Sequence, residues 1–302
     1  MIKLKNDNQD MQTHILIFCS IVLYAILIAL KNIPIAILKI NNIKIYNIIY
    51  QLFAITIAII FFLIRKKEST ENTIEKVKKY IIGLGSIIVY FLLSELQLLP
   101  FQLLDIDVNK IPLYLKIIYL LCYEAIIIGI IILINLKKLK NDLKDLKANH
   151  QNHFKGCLKY WLIALFIMYI SNLFISLIQA GLPNNEEIIR SQFQISPIYI
   201  FVSAVIFAPI LEELIFRQSF RNILNNKWLF IIISGLVFGG MHVFNSDNLT
   251  MIDLLYIIPY STPGMAFAYM LYKTNNIFVS MGFHMLHNGI MVALQFLTIF
   301  FI

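Results

Sequence analysis

Three short patterns set ionisable and amide side chains inside long apolar stretches. Glu212, Glu213 and Arg217 close one stretch. Phe238 and His242 lie in the next. His284, His287 and Asn288 sit in the last. A carboxylate beside an imidazole can take a proton from water, and nearby N–H donors can hold the oxyanion that water attack creates at a carbonyl. On a helix, residues four apart are neighbours, so Glu213 is placed to pair with Arg217. Glu212 points about 100° away and has no such partner, which leaves it to face a cavity. Taken alone, the Glu-Glu-Arg group is equally a charged helix end at a membrane surface. Phe238 and His242 share one face, and His242 alone is equally a bundle histidine bonded to a neighbour. His284 and Asn288 also share a face. His287 lies off that face and reads as structural.

The elements that carry these residues must be membrane helices. Of the 302 residues, 59% are hydrophobic and 14% charged, with mean hydropathy +0.78. Soluble domains carry about 45–50% apolar and about 25% charged residues. This composition excludes a soluble globular protein, a disordered chain, a collagen and a disulfide scaffold. Cys19, Cys122 and Cys157 are too scattered for a disulfide framework or a thiolate metal site. A span needs about 20 apolar residues. Such runs occur at 14–31, 45–64, 80–100, 113–136, 160–182, 197–217, 228–244, 251–272 and 277–302. The expected fold is all-α, a polytopic transmembrane helical bundle of eight to nine spans. The run 228–244 is short. The run 251–272 holds Pro259, Pro263 and Gly264, which would kink it or make it re-entrant. The first run lacks a small-residue cleavage site and reads as a retained helix.

Charge then orients the spans. The net charge of +8 reads as topology and not as nucleic-acid binding. The N-terminus and segments 65–79, 137–159, 217–227 and 273–276 hold 19 of the 25 Lys and Arg residues; the opposite set of connections holds 5. The rich set is expected in the cytoplasm, with the N-terminus inside. The basic connector 137–159 is expected as a short amphipathic surface helix. It would separate N-terminal membrane helices (1–159) from a C-terminal core (160–302). His150 and His153 within it read as solvated. Glu95 and Glu124 are single carboxylates within spans, and an unpaired charge at membrane depth costs at least about 2.5–3.5 kcal/mol.

EExxxR (Glu212, Glu213, Arg217), FxxxH (Phe238, His242) and HxxxN (His284, Asn288) occur in that order, each in its own apolar segment. In this the chain resembles the CPBP family of intramembrane proteases, also called the Abi or CAAX-protease-like family. That family includes enzymes that trim prenylated CAAX proteins and bacterial members linked to bacteriocin processing and self-immunity. The resemblance covers about residues 197–295. It implies that Glu212 activates the attacking water and that His242 shares that water. It implies further that His284 and Asn288 stabilise the oxyanion, and that Glu213 and Arg217 hold the site together, with Phe238 in support. The expected catalytic set is thus Glu212, His242, His284 and Asn288, acting without a cofactor. Zinc held by Glu212, His242 and His284 is the alternative, because members of the family have also been described as metalloproteases. No GxSG, HExxH or GxGD signature points to another intramembrane protease class. A non-catalytic membrane scaffold or immunity factor of the same fold is a competing reading. So is an ion pathway through Glu95, Glu124 and Glu212. The Lys-, Ile- and Asn-rich composition is that of an AT-rich bacterial genome. It favours a membrane-associated peptide precursor over a prenylated protein as substrate, and a bacterial cell membrane as the location.

Overall fold

The structure, a computed structural model, describes residues 71–178, 184–244 and 251–301. The expected spans 14–31 and 45–64 lie outside these residues. Residues 79–302 form one compact unit. The described residues are helical, with no strand among them. The helices are α1 (Glu71–Glu95), α2 (Leu99–Leu103), α3 (Leu113–Ile178), α4 (Asn184–Ile195), α5 (Pro197–Ile223), α6 (Lys227–Val243), α7 (Ile257–Thr274) and α8 (Ile277–Phe301). Among the described residues, five helices are long and apolar enough to cross a membrane, and α6 is a shorter apolar one. The chain is therefore a multi-pass membrane protein.

Local signals set the helix ends. Ser196 caps α5 by accepting from the Tyr199 N–H, and Pro197 follows at the first helical position. The Asn226 side chain accepts from Trp228 and Leu229 N–H at the start of α6. Asn275, at φ 51°, ends α7 in the left-handed region that asparagine tolerates. The start of α8 is capped from far away in sequence: the Asp142 carboxylate accepts the Ile277 N–H at 3.0 Å. Such a cap satisfies a donor that the helix itself leaves open.

Helix α3 covers two expected spans and the polar connector between them. The connector is helical, as expected, but continuous with its flanks: all 66 residues from Leu113 to Ile178 are in helix. A straight helix of that length would reach about 99 Å, far beyond a bilayer. The contacts show how it fits. In the first arm, Glu124 meets Ser203 on α5 at 3.1 Å, and Asn135 meets Ser86 on α1 at 3.1 Å. Gly83 of α1 lies against Ser219 and Asn222 of α5. The first arm thus runs parallel to α5. In the second arm, Cys157 and Trp161 pack with Phe267, Val279 and Phe283, while Ile175 packs with Tyr256 and Val243. That arm runs antiparallel to α7, and so antiparallel to α5. Asp142 and Cys157 would be about 22 Å apart on a straight helix. Both nonetheless meet the first turns of α8. Helix α3 therefore folds back between them, and its two apolar arms cross in opposite directions.

The basic connections 137–159, 217–227 and 273–276 gather at the end where α3 folds back. Lys138 Nζ donates to Asn275 O and Lys273 Nζ to Gly156 O, both at 2.7 Å. Asn276 donates to Asp142 O and to the Asp145 carboxylate, which also meets His153 Nε2 at 2.8 Å. His153 is thus held in a polar clasp instead of being free in solvent, while His150 is exposed. Helix α7 does not re-enter. It is continuous through Pro263 and runs antiparallel to α6.

Helices α6 and α7 approach each other closely at two glycines. A Cβ on Gly235 would strike Met265, and one on Gly239 would strike the Ser261 hydroxyl and backbone nitrogen. This is the small-residue approach that membrane helices use where burial from water drives nothing. Gly239→Leu should therefore lower the melting midpoint of the detergent-solubilised protein, by an overpacking cost of at least about 1–3 kcal/mol. Gly129→Leu, at a position with nothing within 4 Å of its Cβ, should leave the midpoint unchanged. Equal melts for the two variants would refute the close contact.

Candidate active site

The site is built around one imidazole held between two carboxylates. His284 Nδ1 donates to Glu213 Oε1 at 3.0 Å, and its Nε2 lies 3.5 Å from Glu212 Oε2. Glu213 Oε1 is also 3.3 Å from Arg217 Nε. Glu213 and Arg217 are both 0% exposed, so neither charge has solvent to screen it. The Arg217 guanidinium lies over the Phe238 ring at 4.2 Å and near Phe267 at 5.6 Å. These aromatic faces supply cation–π attraction, which strengthens when the cation is desolvated. Phe267 in turn stacks on His284 with centroids 4.8 Å apart. One ion pair, two rings and one imidazole thus form a single packed block. The block fixes which His284 nitrogen carries its proton toward Glu213 and which faces Glu212.

The backbone of α5 departs from regular helix on both sides of Glu212. Residues Phe201–Phe207 and Glu213–Ser219 form wide π-type turns, and Ala208–Glu212 between them is α-helical. Such wide turns are rare and frequent at functional sites. Here they let adjacent residues Glu212 and Glu213 both reach His284. Pro209 has a further effect. Ala208 N–H bonds back five residues to Ser203 O. The next bond of that series would run from residue 209 to Ala204 O, but proline has no N–H. Asn288 on α8 takes the vacated place: its Nδ2 donates to Ala204 O at 2.8 Å. An amide nitrogen carries two donors, so one N–H of Asn288 remains.

Glu212, His242, His284, His287, Asn288 and Phe238 all line one cavity of about 560 Å³. Glu212 and His242, which helix counting from the 218–227 turn sets at different depths, thus share it. No hydrogen bond joins them. His242 Nδ1 donates to Phe238 O at 2.9 Å, and its ring stacks on Tyr260 at 5.1 Å. This leaves Nε2 as the nitrogen able to accept a proton. His287, expected off the site face, also lines the cavity, edge-on to Phe267 at 6.1 Å, with Nδ1 buried and without a hydrogen-bond partner among the described residues. The site face of α8 is therefore wider than the pair His284 and Asn288. Sequence reasoning missed Tyr260 and Phe267. Both sit on α7, where no charged or amide residue at helical spacing marks their face.

The other candidates lie elsewhere. Glu124 bonds to Ser203 and does not line the cavity. Glu95 lies at the end of α1, and its side chain is outside the described residues. Among the described residues, no three His, Cys, Asp or Glu side chains gather as a metal-ligand group. Glu212 and His284 are adjacent, and His242 does not join them as a third ligand.

The family described as Type II CAAX prenyl endopeptidase Rce1-like matches residues 194–290, which span the whole constellation. The membrane-embedded CAAX protease MroQ of Staphylococcus aureus (strain USA300) is 30% identical over 238 residues, 72% of this chain and 90% of that protein. The Bacillus subtilis (strain 168) protein named "Putative membrane peptidase YdiL" is 32% identical over 114 residues, 37% of this chain and 43% of that one. A Mycoplasma capricolum protein named "Uncharacterized protein" is 26% identical over 165 residues, 50% of this chain and 47% of it. The chain thus spans under half the length of these last two relatives. No solved structure matches.

Arg217 gives the sharpest structural test. Removing it leaves Glu213 buried without its cation, and breaking a buried pair costs about 3–5 kcal/mol. Arg217→Ala should lower both the amount of protein in the membrane and its melting midpoint in detergent. A variant as thermostable as the parent would contradict the anchoring role.

Proposed function

Because this chain belongs to the family of membrane-embedded CAAX proteases, we propose that it is an intramembrane endopeptidase. It would hydrolyse a peptide bond of a membrane-associated protein or peptide precursor by water activation. The observation that carries this reading is the pairing of Glu212 with His284 Nε2 at 3.5 Å, in a cavity shared with His242 and Asn288. Glu212 acts as the base that takes a proton from water, and His242 Nε2 shares that water. The spare N–H of Asn288 faces the developing oxyanion, and His284, fixed by Glu213 through Nδ1, adds a second donor when its Nε2 also carries a proton. Glu213, Arg217 and Phe238 support these groups without touching substrate. Hydrolysis in this scheme uses no metal. The alternative is a zinc ion on Glu212, His242 and His284, which would act as a Lewis acid. It would require His242 to move toward the other two ligands. The partners are the substrate and the lipid bilayer, with no nucleic acid. The positive-inside rule puts the N-terminus and the basic connections in the cytoplasm of a bacterial cell.

Glu212→Gln removes the base and changes little volume. Cells carrying it should retain correctly inserted protein but accumulate uncleaved precursor peptides in a membrane peptidome compared with parent cells. The purified parent should keep its cleavage activity after prolonged chelation. A well-folded Gln variant that still cleaves would sink the assignment. Activity lost to chelator and restored by zinc would decide for the metal alternative.

Asn288 should matter mainly in the transition state. Asn288→Ala should reduce kcat by on the order of 10²–10³-fold, by analogy with other oxyanion donors, with a smaller change in KM. Steady-state cleavage of a captured precursor peptide measures this. A raised KM at unchanged kcat would make Asn288 a substrate-positioning residue instead.

A further inference from the structure

The cavity is closed at one end and graded toward the other. At the end where the basic connections gather, Arg217, Leu271, Phe267, Met270 and Ile277 are each at most 1% exposed. Among the described residues these side chains close that end. In the other direction the lining runs outward, from His284 to Asn288 and then to Gln295 on α8, and from Met168 to Asn172 and Ser176 on the second arm of α3. Gln295 lies eleven residues beyond His284, about 16 Å along the helix. At that level α4 adds Glu186 and Arg190, whose side chains are 43% and 40% exposed and form a loose 4.0 Å pair. The outer lining therefore sets amides, a hydroxyl and both charges among apolar residues such as Ile189, Val292 and Leu294.

Resting on the endopeptidase reading, we infer that the site receives its substrate through this mouth, from the membrane face opposite the basic connections, as an extended peptide segment. The mouth holds amides, a hydroxyl and both charges: Asn172, Gln295, Ser176, Glu186 and Arg190. These donors and acceptors can meet peptide backbone, and the apolar Ile189, Val292 and Leu294 among them can meet apolar side chains of the same segment. An extended chain advances about 3.3 Å per residue, so about five residues must thread the mouth before a peptide bond reaches His284. A folded domain cannot do this. The substrate class is thus a flexible tail or linker exposed on the face opposite the basic connections. If those connections are cytoplasmic by charge, that face is the outer one.

Single-cysteine scanning tests this in the full-length chain, with Cys19, Cys122 and Cys157 replaced by alanine. Ser176→Cys, Gln295→Cys and the deeper Val292→Cys report on the mouth. Asn149→Cys, exposed in the basic connector, reports on the other face. Each is treated with a membrane-impermeant maleimide in intact cells and in inverted vesicles. The expected result is labelling of all three mouth positions from the face opposite to that of Asn149→Cys, with Val292→Cys slower than Gln295→Cys. Labelling of the mouth from the same face as Asn149→Cys overturns the proposal. So does protection of Gln295→Cys and Val292→Cys from both faces while Asn149→Cys reacts, which would mean an opening to lipid. The readout needs no proteolysis, so it is separate from failure of the endopeptidase reading. That reading falls on the Glu212→Gln peptidome.

Discussion

A carboxylate–guanidinium pair sealed from solvent in the middle of a membrane protein is the feature on which the site depends. Glu213 and Arg217 are fully buried and 3.3 Å apart. Either charge alone would be prohibitively placed, and the pair is tolerable because each neutralises the other and aromatic faces receive the cation. The consequence is directional. Glu213 has one more interaction to give, and gives it to His284 Nδ1. The imidazole then turns its other nitrogen to Glu212. The pair therefore orients the two residues proposed to meet water and substrate.

The helix that carries the pair is adapted to it. The wide turns on either side of Ala208–Glu212 and the missing N–H of Pro209 would leave a backbone carbonyl open in a nonpolar setting, where an unmet polar group is costly. Asn288 closes that gap from α8. One residue thus ties α8 to α5 and remains able to donate into the cavity. The glycines of α6 bring α7 close enough for Phe267 and Tyr260 to stack on the two histidines. The fold-back of α3 supplies the second wall and caps α8 through Asp142.

Much of this was legible in the chain itself, for definite reasons. The Glu213–Arg217 pair and the face shared by His284 and Asn288 follow from i,i+4 spacing, which needs only a helix. The Gly235 and Gly239 approach follows from side-chain size at the same spacing. The all-α membrane fold follows from hydropathy. What stayed hidden depends on contacts between distant segments. Hydropathy reads 137–159 as a break between spans. The connector is helical as expected but continuous with both flanking spans, and Asp142 and Asp145 tie it to the α7–α8 junction more than a hundred residues away. His287 reads as pointing off the site because a two-residue pattern defines too narrow a face. The direction in which the cavity opens has no local signal at all.

A double-mutant cycle on Glu213 and Arg217 tests most directly whether this buried pair organises the site. Thermal unfolding in detergent would be measured for Glu213→Gln, Arg217→Met and the double variant. Each single change leaves one partner stranded in the interior, whereas the double change removes both charges together. The account predicts that the double variant melts higher than Arg217→Met alone, with a coupling of more than about 1 kcal/mol. Strictly additive losses would mean that the two residues do not act as a pair, and the orientation of His284 would need another cause.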